Sequence, residues 1–192
     1  MVYFRVTMQH TEKTLESLAH MQYDLFCRGN RVMRSALSLV LMVAGILNFS
    51  QWWGILIVAY GCYLTTSTYA SANHTAHKLA RQIRESGMAF PASRYLFCED
   101  AMEIVSLPEE KSDGEPLAYA GVARLGEDTN AFYIFRDQYG GYMIPKQELG
   151  DHAEEFRQFV QEKTGQSFHA QLAPVVRLMR RLRGRRRTAH GS

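Results

Sequence analysis

Between Arg34 and Lys78 the chain has no Asp, Glu, Lys or Arg, so 43 consecutive residues carry no formal charge in a protein of 192. A water-facing segment of that length is excluded. Cysteine is scarce: Cys27, Cys62 and Cys98 are odd in number, far apart and without metal-ligand spacing. That excludes a disulfide framework or zinc module and fits a reducing compartment, with each cysteine reading as a small apolar residue. The G-x-x-x-x-G-K-[ST], G-x-S-x-G and G-x-G-x-x-G patterns are absent, which removes the commonest phosphate-loop, nucleophile-elbow and dinucleotide signatures. The start, MVYFRVTMQH, lacks the charged-then-apolar order of a signal peptide. The apolar region that follows is therefore expected to stay in the mature protein.

What fills the uncharged region is apolar. It exceeds the roughly 20 residues that span a hydrocarbon core of about 30 Å, and Asn48-Phe49-Ser50-Gln51 breaks it into SALSLVLMVAGIL and WWGILIVAYGCYL. The expectation is a transmembrane helical hairpin over 32–72, with helices at about 32–49 and 52–70. Gly54 and Gly61, seven apart, and Gly45 on the first helix are expected where the two helices meet. The hydroxyls of residues 65–68 are expected to bond carbonyls one turn back. Trp52 and Trp53 suit a headgroup boundary beside the turn. Arg28, Arg31 and Arg34 precede the hairpin, and Lys78, Arg81 and Arg84 follow it. By the positive-inside rule these six mark the cytoplasmic interface. A multi-pass inner (plasma) membrane protein with both termini in the cytoplasm follows, its first partner being the lipid bilayer.

Outside the hairpin the pattern is α+β. Residues 1–31 predict a strand, in which Val2, Phe4 and Val6 alternate with Tyr3, Arg5 and Thr7, and then a helix capped by Thr11 or Thr14. Residues 73–91 read as a connecting helix and linker. Residues 92–165 read as a small antiparallel domain. Its strands are expected at 94–98, 102–107, 117–125, 131–135 and 142–144, with a polar loop at 108–115 and a turn at 126–130. Asp151 and Glu154 have capping-box spacing before a helix that Gly165 ends. That helix should close the sheet.

The N-terminal strand and helix, the hairpin, the Glu99-Asp100 turn and the run AFYIF…YMIPKQEL before the last helix together resemble the YcxB-like family of small bacterial membrane proteins. The resemblance spans most of residues 1–165. It implies a cytoplasmic, pleckstrin-homology-like β domain and supplies no catalytic residue.

Few residues suggest chemistry. His74 and His77 share a helical face without the further ligands a metal site needs, and they read as an interfacial pair. Glu99, Asp100, Glu103, Glu109 and Glu110 sit at or near turns and read as solvated charges. No catalytic residue, metal site or cofactor is assigned. The tail, 166–192, carries seven arginines between Arg177 and Arg187; without them 15 basic residues stand against 19 acidic. Leu172, Val175, Val176, Met179 and Leu182 fall on one helical face, whereas Arg177, Arg180 and Arg181 lie off it. With Arg185, Arg186 and Arg187 these suit an anionic membrane surface. The reading that follows is a non-enzymatic membrane protein with a cytoplasmic binding or regulatory domain for a protein partner or lipid headgroups. A membrane enzyme acting on lipid or peptide is the first alternative. Nucleic-acid association through the arginine tail is the second, and no aromatic platform accompanies it.

Overall fold

In the computed structural model, residues 1–112 and 114–170 are described. The protein is α+β: a strand, three helices, two small sheets and a closing helix. Strand β1 (Phe4–Gln9) buries Val6 and Met8 and exposes Arg5, Thr7 and Gln9, the alternation of a half-covered strand. Helix α1 (Glu12–Phe26) starts at Thr11, whose hydroxyl accepts from the Thr14 N–H while Thr14 Oγ1 accepts from the Thr11 N–H.

Helix α2 (Arg28–Leu47) follows α1 with the single residue Cys27 between them. A turn over 48–51 leads into α3 (Trp52–Glu85), so the hairpin break falls where the polar tetrapeptide stands. Among the described residues only α2 combines the length and the apolar composition of a membrane span. The second helix does not stop near residue 70 but runs on unbroken to Glu85. No Gly or Pro lies between Cys62 and Ser86 to end it, and its Thr- and Ser-rich stretch stays helical. Thr66 and Thr68 there donate to the carbonyls of Cys62 and Leu64.

Glycines set the α2–α3 contact. A Cβ on Gly45 would lie 2.6 Å from Val58 Cγ2 and 2.7 Å from the Gly54 carbonyl, and one on Gly61 would lie 2.8 Å from Met42 Cγ. Both spacings fall far below van der Waals contact, so only glycine permits this approach. Ser38, fully buried, donates to the Gly61 carbonyl at 2.7 Å and lies 2.6 Å from Thr65 Oγ1. The pair is thus joined by close backbones and one hydroxyl cluster.

The chain then returns to β1. Strand β2 (Ala92–Phe97) pairs antiparallel with it, Phe4 opposite Phe97 and Gln9 opposite Ala92. Strand β1 and the strands within residues 92–118 therefore share one sheet, with the helices inserted between its first two strands. Strand β3 (Ala101–Leu107) adds to β2, and its other edge takes β4 (Lys111–Ser112) and β5 (Leu117–Ala118). The strand expected over 117–125 is broken. A 3-10 turn over Tyr119–Gly121 separates β5 from β6 (Arg124–Glu127), because the chain here crosses from one sheet to the other. Buried Tyr119 holds the crossing, donating its hydroxyl to the Cys98 carbonyl at 2.8 Å.

The second sheet has the order β8 (Gly141–Pro145), β7 (Ala131–Phe135), β6, β9 (His169–Ala170), with β9 parallel to β6. Gly126 lies within β6 rather than opening a turn, since a Cβ there would sit 2.6 Å from Met21 Sδ of α1. The turn itself begins at Asp128, whose Oδ1 accepts from the N–H groups of Asn130 and Ala131, both at 2.7 Å. Strand β7 is buried at every position because both its faces are covered. Phe135 meets Phe26 of α1, whereas Phe132 meets Phe156.

After the short helix α4 (Lys146–Leu149), α5 (Ala153–Thr164) drives Phe156 into the core against Phe4, Phe97 and Phe132. The capping box expected from Asp151 and Glu154 does not form. Asp151 lies inside a 3-10 turn over Gly150–His152, and His152 at the helix start makes no capping bond. Gly165 ends the helix in the left-handed conformation, at φ 64°.

Candidate functional site

The described residues contain no group of three or more His, Cys, Asp or Glu able to hold a metal. His74 and His77 lie one turn apart on α3. His77 lies 3.1 Å from Glu12 of α1, and that carboxylate also accepts from Arg84 at 2.7 Å. Beside these bonds Ala76 and Ala80 are buried on α3, as are Leu15 and Ala19 on α1. The extension of α3 is therefore the post against which α1 is fixed.

The arginines expected at the membrane boundary occupy different levels. Arg28, Arg31 and Arg34 lie within the first two turns of α2 rather than before it. From Arg28 to Leu47 the helix rises about 28 Å, close to one hydrocarbon thickness. Lys78 is about 39 Å along α3 from Trp52, so it stands about 10 Å beyond the level of Arg28, with Arg81 and Arg84 farther still. These three do not share the Arg28 level, because α3 continues unbroken past residue 70, where the span was expected to end. Arg81 is spent on Glu85 and Arg84 on Glu12. Trp52 and Trp53 flank the turn at the opposite end, 74% and 39% exposed. Arg177, Arg180, Arg181, Arg185, Arg186 and Arg187 lie outside the described residues.

The strongest buried polar cluster belongs to the fold. Glu127, at the end of β6, accepts from Lys146 Nζ at 2.6 Å and from Arg157 at 2.5 Å. Lys146 also donates to the Asp128 carbonyl and lies over the Phe132 ring. The cluster ties α4 and α5 to the second sheet. Beside it, Tyr133 donates to Asp128 at 2.7 Å; burial, and then that bond, push its phenol well above the ordinary tyrosine range. Lys146 stands in the run YMIPKQEL, but its partners could not be read from a sequence in which they lie up to 19 residues away.

An opening lies elsewhere, at the joint between α1, α2 and the second sheet. It is a groove of about 830 Å³ lined by Asp24, Arg28, Arg124, Gln166, Ser167 and His169, among others. Asp24 is engaged by Arg31. Arg28 and Arg124 make no ion pair with any described residue. Gln166 is held in place by its amide donating to the Val122 carbonyl at 2.6 Å. The groove is thus polar and net cationic. Sequence reading singled out Arg28 but missed Arg124 and His169, since only the parallel pairing of β9 with β6 sets His169 opposite Gly126. No family model matches the chain, and neither does a curated protein or a solved structure.

Proposed function

We propose that this is an integral inner-membrane protein in which the α2–α3 hairpin spans the bilayer and holds a cytoplasmic binding module at its surface. One observation carries the reading. Large apolar side chains stand exposed all over the hairpin, Leu39, Val40, Val43, Ile46, Ile55 and Leu56 among them, each at least 49% accessible. Leaving such a side chain in water forgoes about 1.5–3 kcal/mol of burial. A patch this extended marks a surface that is covered in use. In α2 the 20-residue length is close to a bilayer's, its uncharged part running from Ser35 to Leu47, with arginine toward one end and, across the turn, tryptophan at the other. For α3 the partner is α2 itself: close packing through Gly45, Gly54 and Gly61 hides part of its polar stretch. Both termini then lie on the cytoplasmic side.

The module is pleckstrin-homology-like and YcxB-like in this reading. Two small sheets enclose an aromatic core, and one helix plugs the space between them with Phe156. Its action is binding, of a protein partner or of lipid headgroups.

Single-cysteine labelling tests the topology. In a chain whose three cysteines are replaced by serine, Ser50→Cys should react with a membrane-impermeant maleimide in intact spheroplasts. Ser112→Cys should react only after the membrane is opened. Equal labelling of both in intact cells, or release of the protein by alkaline carbonate, would overturn the assignment.

A further inference from the structure

We propose that the groove between α1, α2 and β6 is a binding site for the phosphate of an anionic phospholipid in the cytoplasmic leaflet. The inference rests on the membrane reading above and adds a ligand and a place.

Three observations converge on it. The first is level. With Leu47 at the far boundary, Arg28 lies about 28 Å away, at the near edge of a hydrocarbon core of about 30 Å. Arg31, one turn deeper, reaches back to Asp24 of α1. Arg34, about 9 Å deeper than Arg28, stands at the start of the uncharged run. The headgroup layer on each side is about 5–7 Å deep. The groove therefore opens where lipid phosphates lie. The second is charge. Arg28 and Arg124 face the same cavity from different elements, and neither has a carboxylate partner among the described residues. The single acid in the lining, Asp24, is already engaged by Arg31. Two unpaired guanidinium groups leave a positive field that an anion relieves, and guanidinium matches a phosphate through paired N–H donors. The third is donor chemistry. Ser167 and His169 line the same cavity and can donate to further phosphate oxygens.

The surroundings supply the rigidity such a site needs. Arg28 is fixed by α2, Arg124 by its pairing opposite Phe135 in β7, and His169 by its pairing with β6. Leu25 and Phe168 give the groove an apolar wall against which the glycerol end of a lipid can lie. A free phosphate would use the same guanidinium groups but not that wall.

The test uses the full chain in nanodiscs of phosphatidylcholine containing a minor fraction of phosphatidylglycerol, with retained lipid read by native mass spectrometry. Wild type should retain phosphatidylglycerol preferentially. Arg28→Gln with Arg124→Gln should cut that preference about thirtyfold, since each arginine near an anionic surface contributes about fivefold. Arg5→Gln with Lys13→Gln removes equal charge elsewhere and should leave the preference unchanged. Incorporation into nanodiscs is measured on the same samples. A chain that fails to incorporate defeats the membrane reading, whereas one that incorporates with its preference unmoved by the groove substitutions defeats only this inference. Retention lost on removing residues 171–192 but not on altering the groove would also overturn it. Glycerol 3-phosphate added at millimolar concentration should not displace the lipid. Full displacement would assign the groove to a soluble phosphate instead.

Discussion

The same substitution, glycine to alanine, should have opposite signs at two positions of one helix. Gly29 and Gly45 both lie in α2. A Cβ on Gly29 meets nothing within 4 Å, so Gly29→Ala should act through backbone entropy alone and stabilise by about 0.5 kcal/mol, the low end for a helix end. At Gly45 the same gain is present, but the new methyl would sit 2.6 Å from Val58 Cγ2, 2.7 Å from the Gly54 carbonyl and 3.0 Å from the Val58 N. Two of those atoms are backbone and cannot swing aside. Restoring contact at about 3.5 Å requires the helices to part by nearly 1 Å, an overpacking cost of about 1–3 kcal/mol. The net effect of Gly45→Ala is then a loss of about 1–2 kcal/mol. For a chain of this size each kcal/mol moves Tm by about 2–4 °C. Thermal unfolding in detergent, followed by tryptophan fluorescence, should show Gly29→Ala raised by one or two degrees and Gly45→Ala lowered by about 4 °C. If Gly45→Ala rises with Gly29→Ala, the helices do not meet at Gly45 and the hairpin packing described above is wrong.

Two further outcomes follow from the domain. Glu127→Ala leaves Lys146 and Arg157 facing each other without their shared carboxylate, and should cost about 3 kcal/mol, the range for breaking a largely buried pair. Glu127→Leu with Lys146→Met should recover part of that loss in denaturant titrations, and no recovery would mean the cost is not electrostatic. The pH profile of stability should fall on both sides. Burial keeps His10 neutral below its ordinary value of 6.5, so the unfolded chain takes up the proton first and stability is lost as pH falls below 6.5. Burial raises Tyr119 and Tyr133 above their ordinary 10.0, so the unfolded chain loses those protons first and stability falls as pH rises past 10. Tyr133→Phe should flatten the alkaline limb, and an unchanged limb would remove the phenol from the explanation.

The parts legible in the sequence were those with local causes. The turn at 48–51, the strand at 131–135, the end of α5 at Gly165 and the helical approach at Gly45, Gly54 and Gly61 each follow from residues close together in the chain. The errors arise where distant contacts decide. Leu117 to Leu125 has the composition of one strand, yet Tyr119 finds its acceptor on Cys98 and the chain turns there. Asp151 and Glu154 have the spacing of a cap, but Gly150 with φ 53° starts a tighter 3-10 turn and consumes the acid. Strand β1 needs a partner some 90 residues away, and no period in either segment announces it. The groove shares this origin. Arg28, Arg124 and His169 come from three segments, and only the sheet order places them around one opening.

That order also determines how the module meets the hairpin. Val6, Met8 and Met21 are almost wholly buried in the same core as Phe97, Phe132 and Val160, so residues 92–170 do not contain a complete core of their own. The chain must enter through β1 and α1, pass along α2 and α3, and return to β2 before the first sheet exists. Each end of the hairpin is consequently fixed to the module, α2 through the one-residue joint at Cys27 and α3 through Glu12, His77 and Arg84. A domain hung on a single Gly- or Ser-rich linker would sample many heights above its anchor. Here two attachments and a shared core set one height, and the groove beside Arg28 is held at the level where α2 begins.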